Sequence, residues 1–175
     1  MPKMPKPCDL VNTRKPPKPE AVEYLKKNNA VKGLTKASVK RGFNTMPDGK
    51  YIYIVGGKSP MTIKFVDVKL EKEQGVKHPS IGEAIGERDV MMAGEIVRKG
   101  NTLKINNSSG HYKPARGCNK YLLWVMKNYY GLKLIKKNER NLLMRYHLQL
   151  VQVQKLHLNE VSNLNDLLPV FSHLL

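Results

Sequence analysis

The chain has 175 residues, a length that fits one domain better than two complete hydrophobic cores. Lys and Arg number 31 against 14 Asp and Glu, which gives a formal net charge of +17. This charge argues against an ordinary neutral metabolic enzyme and favours a polyanionic partner: nucleic acid, an anionic membrane surface or an acidic protein. Apolar residues make up 41% of the chain, so it is not disordered as a whole.

The two cysteines, Cys8 and Cys118, lie far apart in the sequence, and Cys8 falls in a proline-rich arm. We therefore expect no structural disulfide, and we expect the chain to tolerate a reducing compartment. Two distant cysteines make no zinc knuckle, so no metal site is expected from them. No stretch approaches the roughly 20 apolar residues that cross a bilayer, and the basic N-terminus lacks the apolar core of a secretory signal.

The chain begins with a segment that is unsuited to regular structure. Residues 1–19 contain six prolines, which predict a flexible or polyproline-like arm. Residues 20–29 then predict a helix with Ala21, Tyr24 and Leu25 on one face.

The middle of the chain has the pattern of antiparallel strands. Strands are predicted at 51–55 and 61–70, followed by a glycine-rich loop at 75–89. Two further strands, 90–97 and 102–106, are separated by a short turn and predict a hairpin.

The last third returns to helical periodicity. An amphipathic helix is predicted at 118–130, with a buried stripe that includes Leu122 and Met126. Residues 142–154 are ambiguous between helix and strand, and the tail 159–175 contains a short helix candidate. The sequence thus predicts an α+β domain over residues 20–158: an N-terminal helix, then a four- or five-stranded antiparallel sheet packed by one or two helices.

The usual sequence signatures of several enzyme classes are missing. No GxxxxGK[ST], GxGxxG, GxSxG or HExxH occurs. The sequence therefore does not indicate a P-loop ATPase, a Rossmann enzyme, an α/β-hydrolase or a zincin. The chemically interesting residues are instead concentrated in the predicted sheet region. The candidate catalytic residues are His78, Glu95, His111, Tyr112 and Lys113, and the candidate phosphate-binding residues are Lys77 and Arg116.

Two histidines flank the predicted hairpin. Residues just before its first strand and just after its second lie at one end of the sheet. His111 is only a few residues past the second strand, whereas His78 is a dozen residues before Val90 and its approach depends on the loop. The two histidines could thus face one another there, with Lys77, Tyr112 and Lys113 beside them. Such a set is complete for metal-free RNA cleavage. One imidazole takes the proton of the 2′-hydroxyl, the other protonates the leaving oxygen, and a lysine stabilises charge on the phosphorane.

Each of these residues also has a purely structural interpretation. His111 fits an ordinary surface or turn position after a strand, and His78 fits a residue that shapes the loop before Pro79.

Glu95 fits a buried ion pair, a solvent-facing position or a functional carboxylate, and Gly94 before it indicates a bulge or a close backbone approach. Tyr112 fits the core equally well. Lys113 and Arg116 fit either phosphate binding or plain solvation.

The segment from Gly75 to Pro114 resembles a known sequence pattern through AGE (93–95) and N-x-SGHYxP (107–114). It resembles the C-terminal toxin or effector domain of bacterial polymorphic (Rhs/contact-dependent) toxins, and also a domain of plant IQ-motif calmodulin-binding proteins. The match covers about 40 residues, and Pro79 stands where the pattern commonly has Ser. No IQ motif is visible, so calmodulin binding is not carried over.

The resemblance implies a small basic toxin domain of the barnase, EndoU or RelE-like kind, in which a helix precedes an antiparallel sheet that carries His and Lys. The expected function is a metal-independent, cofactor-free endoribonuclease acting on RNA such as tRNA or rRNA, delivered into the cytoplasm of a target cell. An acidic immunity protein is the expected partner. The alternatives are an NAD-dependent ADP-ribosyltransferase-like toxin that uses Glu95, His111 and Tyr112, and a non-catalytic basic binding module.

Overall fold

The computed structural model describes residues 3–6, 8–13, 15–137 and 141–145 of the chain. These residues form an α+β fold built on a seven-stranded antiparallel sheet, which confirms the predicted fold class but exceeds the predicted four or five strands. The second part of the ambiguous segment 142–154 and the tail 159–175 lie outside the described residues.

The strands and helices follow one another along the chain with short connections. The strands are β1 (Lys32–Gly33), β2 (Gly49–Gly56), β3 (Lys64–Asp67), β4 (Val90–Lys99), β5 (Thr102–Asn106), β6 (Lys133–Lys137) and β7 (Asn141–Arg145). The helices are α1 (Pro19–Lys27), α2 (Lys36–Lys40), α3 (Lys69–Glu73), α4 (His78–Ala84) and α5 (Asn119–Trp124), which continues as a π-helical turn over Val125–Tyr129.

The sheet has the strand order β1-β3-β2-β4-β5-β7-β6. The predicted hairpin is confirmed: β4 pairs with β5, and Gly100 makes the turn with a φ of 54°. The extra strands are the two-residue β1 and the pair β6 and β7. Sequence periodicity did not detect β1 or β6, and β7 overlaps the segment 142–154 that was ambiguous between helix and strand. The stretch KLIKK of β6 mixes lysines with apolar residues and has no clean alternation.

One face of the sheet packs against α5 and is called the α5 face. Its core contains Tyr53, Met92, Ile96 and Leu103 from the central strands, packed with Leu122 and other residues of the predicted helical stripe. Alternate residues along a strand point to opposite faces, so the α5 face takes every second apolar residue of β2, β4 and β5.

The opposite face packs against α1 and α4 and is called the α1–α4 face. Ile52, Ile54 and Ala93 of the sheet meet Leu25 of α1 and Ile81 of α4. Both faces are therefore apolar around the central strands β2 and β4, which explains why YIYIV reads as a continuous apolar run rather than an alternating one.

The predicted loop at 75–89 is wrong, because helix α4 occupies half of it. Pro79 stands in the first turn of this helix, where its missing N–H costs nothing, and the Ser80 hydroxyl accepts a hydrogen bond from the Lys77 N–H at 3.2 Å. Gly82 serves packing rather than a turn: a Cβ there would lie 2.5 Å from the Glu87 carbonyl oxygen.

The predicted strand 61–70 is shorter than expected. It ends at Asp67, whose carboxylate accepts the Lys69 N–H at 2.8 Å and starts the single turn α3. Asp at this position competes with the strand by bonding backbone two residues ahead.

The expectation of no disulfide is wrong. Cys8 and Cys118 are bonded, with their Cα atoms 5.6 Å apart. Residues of the arm run back along β4, where Val11 and Val90 exchange backbone hydrogen bonds of 2.8 and 3.1 Å. The bond joins positions 110 residues apart, a contact that no local sequence pattern reveals.

Within the described residues, no helix is both long and apolar enough to cross a membrane.

Candidate functional site

The two histidines predicted to meet are neighbours in the fold. The imidazole rings of His78 and His111 have centroids 6.5 Å apart and an interplanar angle of 46°. His78 is the first residue of α4, and His111 lies in the loop that follows β5. Two hydrogen bonds of about 2.8 Å that meet at one group span about 5.6 Å, so both rings can reach the same small group.

His78 is held in a defined tautomer. The residue is only 8% exposed, and its Nε2 lies 2.9 Å from the carbonyl oxygen of Gly94. A carbonyl oxygen only accepts hydrogen bonds, so Nε2 carries a hydrogen and Nδ1 of the neutral ring keeps the lone pair. The His78 ring is thereby arranged as a base.

The pKa of His78 is lowered from its ordinary value of 6.5, first by burial, which disfavours the charged imidazolium. The hydrogen bond to Gly94 works in the opposite direction, and the positive charge of His111 lowers the pKa further. The carboxylates of Glu71 and Glu95 raise it by smaller amounts. His78 is therefore neutral at pH 7.

The SGHYKP loop that carries His111 is braced by its own hydrogen bonds. The Asn107 amide donates to the Ala115 carbonyl at 3.3 Å and ties the two ends of the loop together. The Ser109 carbonyl accepts the Lys113 N–H at 3.0 Å, and the Ser109 hydroxyl accepts the Tyr112 N–H at 3.4 Å. The loop thus positions His111, which is half-buried, by local contacts.

Gly94 is explained by a close backbone approach, as the sequence indicated. A Cβ on Gly94 would lie 2.1 Å from the carbonyl oxygen of Asn106, which also accepts the Tyr53 hydroxyl at 2.8 Å. The Asn106 side chain in turn accepts the Glu95 N–H at 3.1 Å. The end of β5 is therefore drawn onto β4 beside His78, and only glycine leaves room for it.

Two ion pairs flank the histidines. The Lys77 ammonium is bound to the Glu71 carboxylate, so this predicted phosphate ligand already has an anionic partner. Glu95 pairs with Lys50 at 2.9 Å, and both side chains are partly exposed. Sequence reasoning missed Lys50 because 45 positions separate it from Glu95. The pairing of β2 with β4 would have indicated that Lys50 and Glu95 lie on the same face, but only if the register of the two strands were known.

The remaining predicted residues divide between core and surface. Tyr112 is buried in the core of the α1–α4 face, and burial raises its pKa to about 12. Lys113 is exposed, and within the described residues no carboxylate pairs with it. The Arg116 backbone begins a short 3-10 turn, whereas its side chain lies outside the described part of the chain.

The three acidic residues between 80 and 89, which are Glu83, Glu87 and Asp89, do not form an open acidic patch. Glu83 pairs with Arg88 at 2.6 Å, and Glu87 is buried against the backbone of Gly56. Only Asp89 of this group is exposed and outside an ion pair to a described residue. This segment therefore presents little uncompensated negative charge to a polyanion.

A groove of about 680 Å³ lies beside the histidines without including them. Pro79 and Tyr112, their sequence neighbours, line it together with Asn12 and Pro16 of the arm.

In the described part of the chain, no group of three or more His, Cys, Asp or Glu is placed to hold a metal ion.

Comparison with known proteins finds no matching family model, no matching curated protein and no matching solved structure. The roles considered below therefore depend on the geometry of the site and on the motif resemblance.

Proposed function

We propose that the chain is a ribonuclease that cleaves RNA by acid–base catalysis, with His78 as the base and His111 as the acid. The observation that carries this proposal is the 6.5 Å separation of two imidazoles in unequal environments. Burial keeps His78 neutral, and the Gly94 carbonyl fixes its tautomer. His111 is half-buried in the loop after β5, with its ring facing that of His78.

The reaction that fits this pair is an internal transesterification. Nδ1 of His78 takes the proton of a ribose 2′-hydroxyl as that oxygen attacks the adjacent phosphorus. The bond from phosphorus to the 5′-oxygen breaks, and the His111 imidazolium protonates the departing oxygen. The products are a 2′,3′-cyclic phosphate and a free 5′-hydroxyl. His78 then releases the proton it took to water, and His111 regains one from water, so both return to their starting forms.

A cation near the reacting phosphate would stabilise the negative charge that develops there. Lys113 suits this role because it follows His111 by two residues and has no carboxylate partner among the described residues. Lys77 pairs with Glu71, so it would have to exchange that carboxylate for the phosphate, as Lys50 would have to exchange Glu95.

The motif resemblance supports a biological setting for such an enzyme, that of a bacterial toxin domain delivered to the cytoplasm of a target cell. The Cys8–Cys118 bond is compatible with passage through an oxidising space, where disulfides persist. The charge of +17 favours an acidic immunity protein as the cognate inhibitor.

The test is cleavage of a single-stranded RNA oligonucleotide in EDTA, with the product ends identified by mass. We expect a 2′,3′-cyclic phosphate from the wild-type chain. His111→Ala and His78→Gln should each reduce the rate by about 10²- to 10⁴-fold, the usual contribution of a general acid or base. Glutamine at 78 retains an N–H donor for the Gly94 carbonyl and so favours a folded variant.

Ser108→Ala is the matched control, because Ser108 is exposed in the same loop and its backbone N–H, which the substitution keeps, donates to the Asn106 side chain at 3.0 Å. It should cleave at the wild-type rate. Intact RNA at every wild-type concentration, or full activity of folded His111→Ala, contradicts the proposal. Label transfer from NAD to protein or nucleic acid would favour the ADP-ribosyltransferase alternative instead.

A further inference from the structure

The α1–α4 face of the sheet is only partly covered by its helices. Ile52, Ile54 and Ala93 are buried beneath α1 and α4. Two residues further along β4 from Ala93, Glu95 is partly exposed, and two further still, Val97 is 39% exposed. Among the described residues, the cover of this face therefore ends near Glu95, and an open area of sheet begins there.

A row of basic and apolar side chains crosses this open area at right angles to the strands. Lys50 of β2 lies opposite Val97 of β4, Val97 opposite Lys104 of β5, and Lys104 opposite Leu143 of β7. Directly opposed residues share a face of the sheet, so the four side chains form one line, which we call the lysine row. Lys50 and Lys104 are exposed, whereas Leu143 is half-buried.

The lysine row is positively charged and lies next to the candidate site. Its neighbouring row contains Glu95 opposite Ile52, and Glu95 follows Gly94, whose carbonyl holds His78. Two residues along a strand span about 6.6 Å, which is the distance along β4 from Glu95 to the lysine row. Glu95 pairs with Lys50, and within the described residues no carboxylate pairs with Lys104.

We propose that the lysine row binds the sugar-phosphate backbone of single-stranded RNA next to the phosphate that reacts at His78 and His111. This inference rests on the proposed ribonuclease function for the identity of its ligand. Ammonium groups on flexible stems suit phosphate oxygens, and an exposed valine between them offers an apolar contact to an unstacked base. A duplex keeps its bases stacked inside and would leave Val97 without such a contact.

The experiment measures binding without cleavage. A fluorescein-labelled single-stranded RNA is titrated by anisotropy into His111→Ala protein at several salt concentrations, with Lys50→Gln or Lys104→Gln added. Each phosphate contact on a single strand contributes about 0.7 to the slope of log affinity against log salt. We expect each substitution to reduce the slope by about 0.7, and the same sequence as a duplex to bind more weakly.

Lys127→Gln is the matched control, because Lys127 is an exposed lysine on the π-helical turn that follows α5, against the other face. It should leave the slope unchanged. Unchanged slopes in both Lys50→Gln and Lys104→Gln would overturn the proposal, as would equal effects of the Lys127 control. Polyglutamate that competes through the same two lysines as strongly as RNA would assign the row to an acidic protein and overturn it too.

The outcome is separable from that of the ribonuclease test. RNA bound through the lysine row but never cleaved by the wild-type chain would uphold this inference and contradict the proposed catalysis. Cleavage by the histidine pair with unchanged slopes in both lysine variants would do the opposite.

Discussion

The two faces of the sheet use the same strands for different purposes. On the α5 face, Tyr53, Met92 and Ile96 are sealed beneath α5. On the α1–α4 face, apolar cover stops at Ala93, and the next outward position holds the charged Glu95. The change takes place within three residues of one strand.

The two faces therefore have different roles: the α5 face stabilises the fold, and the open part of the α1–α4 face borders the candidate site. The α5 face excludes water along the length of β4 and so contributes most of the hydrophobic stabilisation. The open part of the α1–α4 face adds little burial. It places Glu95 and the lysine row on the same strand as Gly94, whose carbonyl oxygen contacts His78. Because adjacent residues of β4 point to opposite faces, neighbouring substitutions can test the two roles separately.

The largest effect is expected from Ile96→Ala. Ile96 is fully buried on the α5 face, so the substitution removes apolar contacts and leaves a cavity that costs about 2–5 kcal/mol of unfolding free energy. Val97→Ala is the control one residue away, at a 39% exposed position, and should change stability by less than about 0.5 kcal/mol. Urea denaturation measures both. Equal losses in the two variants would show that the α1–α4 face is as closed as the other.

A smaller loss of unfolding free energy is expected from Gly94→Ala, in the strand β4 that the two faces share. In Gly94→Ala the new methyl group would lie 2.1 Å from the Asn106 carbonyl oxygen, and relieving that overlap should cost about 1–3 kcal/mol. Because the same backbone holds His78 through its carbonyl, catalysis should fall as well. Gly110→Ala is the control, since nothing lies within 4 Å of a Cβ at Gly110. A Gly94→Ala variant with wild-type stability would mean that β5 does not approach β4 as described.

Sequence patterns predicted the parts of this architecture that depend on local periodicity. The strand at 102–106 and the hairpin with β4 were predicted correctly because alternation and the turn at Gly100 act over short distances. The hairpin placed His111 at the right end of the sheet, whereas the approach of His78 depends on helix α4, which the sequence did not predict. Their roles as base and acid remain predictions.

The features that the sequence did not reveal depend on tertiary contacts. Helix α4 was mistaken for a loop because Gly82 resembles a turn residue, whereas close packing against Glu87 requires it. The engagement of Lys77 by Glu71 and the position of Lys50 beside Glu95 depend on which strands and turns become neighbours. Composition alone makes every lysine an equal candidate for phosphate binding.

The smallest effect is expected from the titration of His78, and it has a definite sign. The folded protein holds the pKa of His78 below 6.5, so the ring is neutral in both states at higher pH, and its contribution to stability is complete there. As the pH falls below 6.5, the unfolded chain takes up a proton that the folded chain resists. The stability of the wild-type protein therefore declines until the lowered folded pKa is reached, by about 1.4 kcal/mol for each unit of lowering.

His78→Gln isolates this contribution, because glutamine does not titrate while all other ionisable groups are retained. Urea unfolding of both proteins between pH 7 and pH 5 should show the wild type losing more stability than the variant. Parallel curves would mean that His78 binds its proton equally well in the folded and unfolded states. In that case the buried imidazole beside Gly94 would not be the preferred base, and the unequal environments of the two histidines would no longer distinguish their roles.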